Sequence, residues 1–321
     1  MANGAVLARV EGQGKAREIS SVYLRYPFCE VIGIDVGGTA IKLGRFREDG
    51  TCTQSLTIAT PQPPTPEAVL QAIVYAIAQL DPEQQAIAIG VGTPGPADAA
   101  GRIAKFAINL PGWQDVPLAD WLEAKTGLPT VIANDANCAA VGEAWLGAGR
   151  LVNNFILLTL GTGVGGAIIL NRKLFVGHQG AAGELGLITF NPDGPMCNSG
   201  NQGSLEQYVS ACAIRRRTGK EPAELSALAK AGDAEVLTFW REYGIDLGAG
   251  LASLIYVLSP EAVVIGGGVS ASSEFFLPTT QAEVERRVHP TSREGLQILP
   301  AQLGNSAGIL GAAKLALMTN D

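Results

Sequence analysis

Three short glycine-rich stretches carry the residue types best suited to chemistry in this 321-residue chain. GIDVGGT sets Asp35 just ahead of Gly37, Gly38 and Thr39, LTLGTGVGG holds Gly161, Thr162 and Gly163, and VVIGGGVS holds Gly266, Gly267 and Gly268. Glycine lets backbone N–H groups converge with no Cβ in the way, and such nests bind phosphate oxygens. The Asp35 carboxylate would repel a phosphate directly, but it suits Mg2+ or the water shell of Mg2+, which in turn bridges phosphates. Taken singly, each stretch reads equally as a tight hairpin. Three in this order point to a metal-nucleotide.

No GxxxxGK[ST] segment is present, so the donor is not held by a P-loop. GTGVGG matches the dinucleotide fingerprint only superficially, because it runs into a strand and not a helix, which disfavours a dehydrogenase. On the acceptor side, IANDANCAA puts Asn134 and Asp135 where a strand passes into a helix, a place where α/β sheets expose functional groups. Asp135 is the candidate general base. The other reading of the pair is an ordinary helix N-cap.

The elements that must position these groups follow from periodicity. EVIGIDVGG and AIKLGRF read as a hairpin with a glycine turn, and NNFILLTLGTGVGGAIILNRKLF repeats that grammar later in the chain. Helical spacing appears in EAVLQAIVYAIAQL, in LADWLEAKTG up to Gly127, and in ANCAAVGEAWLGAG. It appears again over residues 205–216, 234–258, 273–288 and 306–318, while AIAIGVGTPGP, PTVIAND and AVVIGGGVS read as strands. The expected architecture is α/β with two similarly built lobes and a cleft between them. Residues 1–29 read as a flexible N-terminal extension, 30–133 as a smaller N-terminal lobe and 134–305 as a larger C-terminal lobe. The helix over about 306–318 is placed to pack back on the first lobe.

A chain with 47% hydrophobic residues can bury a large core, and its net charge of −7 argues against sequence-independent binding to nucleic acid or anionic membrane. Apolar runs stay short of the ~18 residues a membrane helix needs, and the first 30 residues lack a signal-peptide core, which predicts a cytoplasmic location. The five cysteines are odd in number and form no CxxC pair, so reduced thiols are expected rather than a disulfide framework.

On GIDVGGTAIKLGRF, GTPGP, NLPGW, NDANCAA, LTLGTGVGGAII, GAAGELG and VVIGGGVS, the chain resembles the ROK family of sugar kinases, over about Val31 to Met318. The resemblance implies the two-lobed actin-like (ribonuclease H-like) ATPase fold. It implies transfer of a phosphoryl group from ATP to a hexose such as glucose, or, in some members, from polyphosphate. It makes Asp35, Gly37, Gly38, Thr39 and Lys42 the first phosphate loop, with Asp35 reaching Mg2+ through water. It makes Gly161, Thr162 and Gly163 the second loop and Gly266, Gly267 and Gly268 the nucleoside contact. Asp135 becomes the base that takes the proton of the sugar's 6-hydroxyl, with Asn109, Asn134, Glu184 and Glu206 as sugar contacts. A homodimer is implied as well.

One part of the family pattern is missing. The family's zinc ligands, the histidine of GExGH and three cysteines of CxCGxxGC, fall here on Leu187, Cys197, Ser199 and Ser204, while Glu206 is kept. One thiol, two hydroxyls and a leucine do not make a structural zinc set, so no zinc is expected, and His178 reads as a loop polar group. Hydrogen bonds among Asn198, Ser199 and Ser204 are expected to hold the loop instead. Leu187 cannot hydrogen-bond a hydroxyl, so recognition at the sugar's C1 and C2 side should be relaxed or shifted. Two further classes stand beside the kinase: a sugar-binding protein that has lost catalysis, and a repressor. The repressors of the family carry a helix-turn-helix domain ahead of the kinase-like part, for which about 30 glycine-containing residues are too few.

Overall fold

The structure, a computed structural model, describes residues 29–107 and 110–319. Asn109 and residues 1–28 therefore lie outside the described residues. The first sheet takes β1 (Glu30–Val36), β2 (Ala40–Arg47), β3 (Cys52–Ala59), β4 (Ala86–Thr93) and, after the small β5 (Ala104–Phe106) and β6 (Gln114–Val116) pair, β7 (Thr130–Asn134). Its order is β3-β2-β1-β4-β7, with β1 antiparallel to β2 and parallel to β4. The anticipated hairpin is present, and its register sets Asp35 opposite Lys42.

Helix α1 (Pro66–Leu80) buries Val69, Leu70, Ile73, Ala76, Ile77 and Leu80, the stripe its 3.6-residue spacing dictates, and Thr65 caps it by accepting the Ala68 N–H. Together with α2 (Leu118–Thr126), which stops at Gly127 in the left-handed conformation, it packs on Ile32, Ile34 and Val36. Trp113 of the NLPGW stretch is buried in the same cluster and donates its indole N–H to Pro64 O at 2.9 Å.

The second sheet is built from β8 (Phe155–Leu160), β9 (Val164–Leu170), β10 (Lys173–Leu174), β11 (Ala262–Gly266) and β12 (Gln297–Pro300), in the order β10-β9-β8-β11-β12. Helix α7 (Ala234–Leu258) matches the periodic stretch read from the sequence residue for residue, and packs Trp240, Tyr243, Leu247 and Leu251 against β8, β11 and α8 (Ser273–Arg287). The helical stretch 205–216 is not continuous. It divides into α4 (Glu206–Val209) and α5 (Ala211–Thr218), because Ser210 takes extended backbone angles and its hydroxyl caps α5 by accepting the Ala213 N–H at 3.0 Å. A further helix, α6 (Pro222–Lys230), follows.

Two helices stand between the sheets. Helix α3 (Asp135–Leu146) sends Ala140 and Val141 into the core of the second sheet, while Cys138 and Gly142 meet α9 (Ala307–Met318). Helix α9 in turn covers the first sheet: a Cβ at Gly33 or Gly90 would overlap the carbonyl of Ile309 or Ala312. Where α3 and α9 cross, the Cβ of an alanine at Gly311 would overlap Cys138 O, so glycine here allows backbone-to-backbone approach. Below the crossing, the buried Glu143 carboxylate accepts N–H groups from Ala148 and from Gln302 and Leu303, the segment leading into α9. Among the described residues no helix is long and apolar enough to cross a membrane.

Candidate active site

The structure separates the two readings of Asn134 and Asp135. Strand β7 ends with Asn134 in extended geometry, and its Oδ1 caps α3 by accepting the N–H groups of Ala136 and Asn137 at 2.9 and 3.2 Å. Its Nδ2 donates to Gly95 O at 3.1 Å, tying the cap to the GTPGP turn. Asp135, relieved of the capping role, is the first residue of the helix. Its Oδ1 accepts the adjacent Ala136 N–H at 2.7 Å, and the Asn134 side chain is a second hydrogen-bonding neighbour of the carboxyl.

Asp135 is in part exposed to solvent, yet the protein packed around its carboxyl desolvates its charge. That desolvation, reinforced by the charge of Asp35 and partly offset by the Ala136 N–H, raises its pKa to about 6. Burial raises Asp35 too, against the pull of Lys42, and it raises Glu184, with Asp135 and Glu206 adding to the effect. Four of the carboxylates singled out in the sequence, Asp35, Asp135, Glu184 and Glu206, thus share one field although they come from both halves of the chain. Cys138, fully buried behind them, has its thiol pushed well up by burial and then by Asp135 and Asp35.

The glycine turns border the same region. In the first, Gly37 N–H donates to Ala40 O at 3.0 Å and the Thr60 hydroxyl donates to Gly37 O at 2.6 Å. No hydrogen bond within the described residues reaches the Asp35 carboxylate, which lies beside Gly308 in the first turn of α9. Its oxygens are therefore available to the water shell of a cation. In the second turn, Gly161 N–H donates to Gly163 O at 2.9 Å, and Glu206 Oε2 accepts the Val164 N–H at 2.9 Å. A Cβ at Gly163 would strike that carboxylate, and one at Gly165 would crowd Ala136, next to the candidate base. In the third turn, Gly267 has φ +84° and sits against the Leu160 backbone, which joins the second and third turns.

The loop at the missing zinc pattern is held differently from the expectation. Ser199 Oγ accepts the Asn201 N–H at 3.3 Å, but the Ser204 hydroxyl is fully buried without a hydrogen bond of good geometry, and the longest-reaching side chain is that of Asn201. Cys197 is buried with Sγ 3.8 Å from Glu206 Oε1. Burial would raise its thiol, yet the Ser199 hydroxyl and backbone and the neighbouring Ser204 hydroxyl bring it below the ordinary value. His178 is exposed. Sequence reasoning missed Glu143, Cys138 as a neighbour of the base, and Asn201. For Glu143 a glutamate in the last turn of a helix, the end where its charge is disfavoured, was the available signal.

Paired glycine hairpins, and a carboxylate at the head of the helix between two sheets, define a sugar kinase of the two-lobed actin-like fold. The chain belongs to the ROK family, whose model matches residues 31–319. It is 35% identical over 310 residues to a glucokinase of Thermotoga maritima, covering 90% of this chain and 98% of that one. A ROK family glucokinase from Streptomyces griseus, solved in complex with glucose and AMPPNP, is 37% identical with a TM-score of 0.78, over 90% of this chain and 99% of that one. The ROK hexokinase of Thermus thermophilus is 34% identical with a TM-score of 0.79, over 91% and 99%.

Proposed function

We propose that this chain transfers the terminal phosphoryl group of Mg-ATP to the 6-hydroxyl of glucose or a closely related hexose, with Asp135 as the general base. The observation that carries this reading is Asp135 itself: a solvent-accessible carboxylate at the head of α3, with a pKa raised to about 6 and Asp35 and Glu184 in its field. A base poised near neutrality is matched to accepting a hydroxyl proton at working pH. The 6-hydroxyl gives its proton to Asp135 as the O6–phosphorus bond forms, and the electron pair of the breaking bond leaves with ADP.

Around that step the chain mainly positions its reactants, which is most of what phosphoryl transfer needs. Asn134, Glu184 and Glu206, with Asn109, hold the sugar hydroxyls. Gly37, Gly38, Thr39 and Lys42 and the turn of Gly161, Thr162 and Gly163 take the phosphates, and Gly266 to Gly268 take the nucleoside. Asp35 would hold Mg2+ through water, and the cation, when bound, neutralises charge on the donor's phosphates. The lobe of residues 30–133, completed by the returning helix, closes toward residues 134–305 and excludes water as a competing acceptor. The protein acts in the cytoplasm as a homodimer.

The test is a coupled sugar-6-phosphate assay over several hexoses, with Mg-ATP and polyphosphate as separate donors and Asp135→Asn as control. Turnover with Mg-ATP that the substitution abolishes supports the reading. Hexose binding without turnover by the unaltered protein would make it a sensor instead.

A further inference from the structure

The zinc that the family pattern implies does not fit the residues present, since Leu187, Cys197, Ser199 and Ser204 offer an alkyl group, one thiol and two hydroxyls. Among the described residues no group of three or more His, Cys, Asp or Glu side chains is placed to hold a metal ion. Something else must fix a loop that both precedes and touches Glu206.

The loop is a miniature hairpin. Met196 pairs with Gln202, the Cys197 N–H donates to Asn201 O at 2.8 Å, and Gly200, at φ +86°, makes the turn. Its base is fastened by the N–H groups of Phe190 and Asn191, both donating to Gly203 O, and by Leu205 N–H donating to Ile188 O. An isolated two-stranded hairpin of this length is marginal in water, so its tip needs an anchor of its own. Asn201 supplies one. Its Nδ2 donates to Leu187 O at 2.9 Å and to the Thr189 hydroxyl at 3.1 Å, while its Oδ1 accepts the Gln202 N–H at 2.8 Å.

Both ends of that anchor lead to carboxylates of the site. Leu187 closes the short turn that begins at Glu184, with its N–H donating to Glu184 O at 3.0 Å. On the other side, the Asn201 carbonyl holds the backbone of Cys197, whose thiol meets Glu206 Oε1. We propose that Asn201 is a positioning residue that does the work of a metal crosslink, keeping Glu184 and Glu206 in register for the hexose without any bound ion. The proposal rests on the hexose-kinase reading for what those carboxylates hold, but the crosslink itself does not.

The experiment compares the full chain with Asn201→Ala and Asn201→Asp; the aspartate keeps an acceptor for Gln202 but loses the donor to Leu187. Three readouts are taken: metal content, hydrogen exchange over residues 187–206, and steady-state kinetics. The expected result is no stoichiometric zinc in the unaltered protein, and activity restored fully by Mg2+ after treatment with a chelator. Both variants should exchange faster at Cys197, and Asn201→Ala also at Gln202, and both should show a hexose KM raised about tenfold, with kcat and the KM for ATP little changed, for the loss of the partly buried bond to Leu187 O and its neighbour to Thr189. Zinc near one equivalent overturns the proposal. So does unchanged exchange in both variants, or a hexose KM within about twofold of the unaltered protein, where a tenfold effect is expected. Absence of turnover in the unaltered protein would count against the kinase reading alone, because exchange still reads the crosslink.

Discussion

The Glu143 carboxylate accepts the Leu303 N–H at 2.8 Å across 160 residues of chain, joining the end of α3 to the segment that leads into α9. The same carboxylate accepts the Ala148 N–H at 2.7 Å and the Gln302 N–H at 3.0 Å, and it is fully buried. Backbone dipoles thus stabilise a charge that helix α3, at its C-terminal end, disfavours. Glu143→Ala strands three N–H groups and should lower unfolding free energy by about 3 kcal/mol, read by denaturant titration. Glu143→Gln, which keeps the shape but turns an amine toward a donor, should fall between the two.

Asp135→Asn keeps the helix start, because Asn134 provides the cap. Turnover should drop by about 10² to 10⁴-fold, the usual worth of a general base. Hexose affinity by calorimetry should change little, since the amide retains an acceptor.

The base must be ionised to work, so kcat/KM should fall as pH drops through about 6, the value to which burial and Asp35 raise Asp135. Removing the Asp35 charge relieves that repulsion. In Asp35→Asn the acid limb of the residual activity should therefore move to lower pH, and a limb that stays or moves up would contradict the shared field.

At Gly311 an added Cβ would overlap Cys138 O, and the contact is backbone, which cannot swing away. Gly311→Ala should cost about 2 to 4 kcal/mol by forcing α9 off α3, despite alanine's better helix propensity. Gly219→Ala is the contrasting control, since nothing crowds that Cβ and only its left-handed backbone resists the change.

Much of this was legible in the sequence. Helix α7 is legible with its limits because its 25 residues keep one apolar face and contain no proline. Both hairpins announced themselves through β-branched runs on either side of glycines. The stretch 205–216 reads as one helix because its apolar residues keep the period through Ser210, and only the serine's capping bond shows the break. Glu143 carries a signal in its place in the last helical turn, but its partners, like those of Asn201, are backbone N–H or C=O groups that every residue carries, far along the chain or across a turn. The ambiguity at Asn134 and Asp135 was genuine for the same reason: either side chain can cap a helix, and only strand geometry decides which does.

Because α9 covers one face of the first sheet, β1 and β4 wait for a segment translated long after them. During translation the amino-terminal half would sit on the ribosome with that face of its sheet bare, a long-range closure of the slow and aggregation-exposed kind. A chain cut short before residue 307 should consequently be handled by chaperones and proteases as an unfinished protein, even with every proposed catalytic group already made.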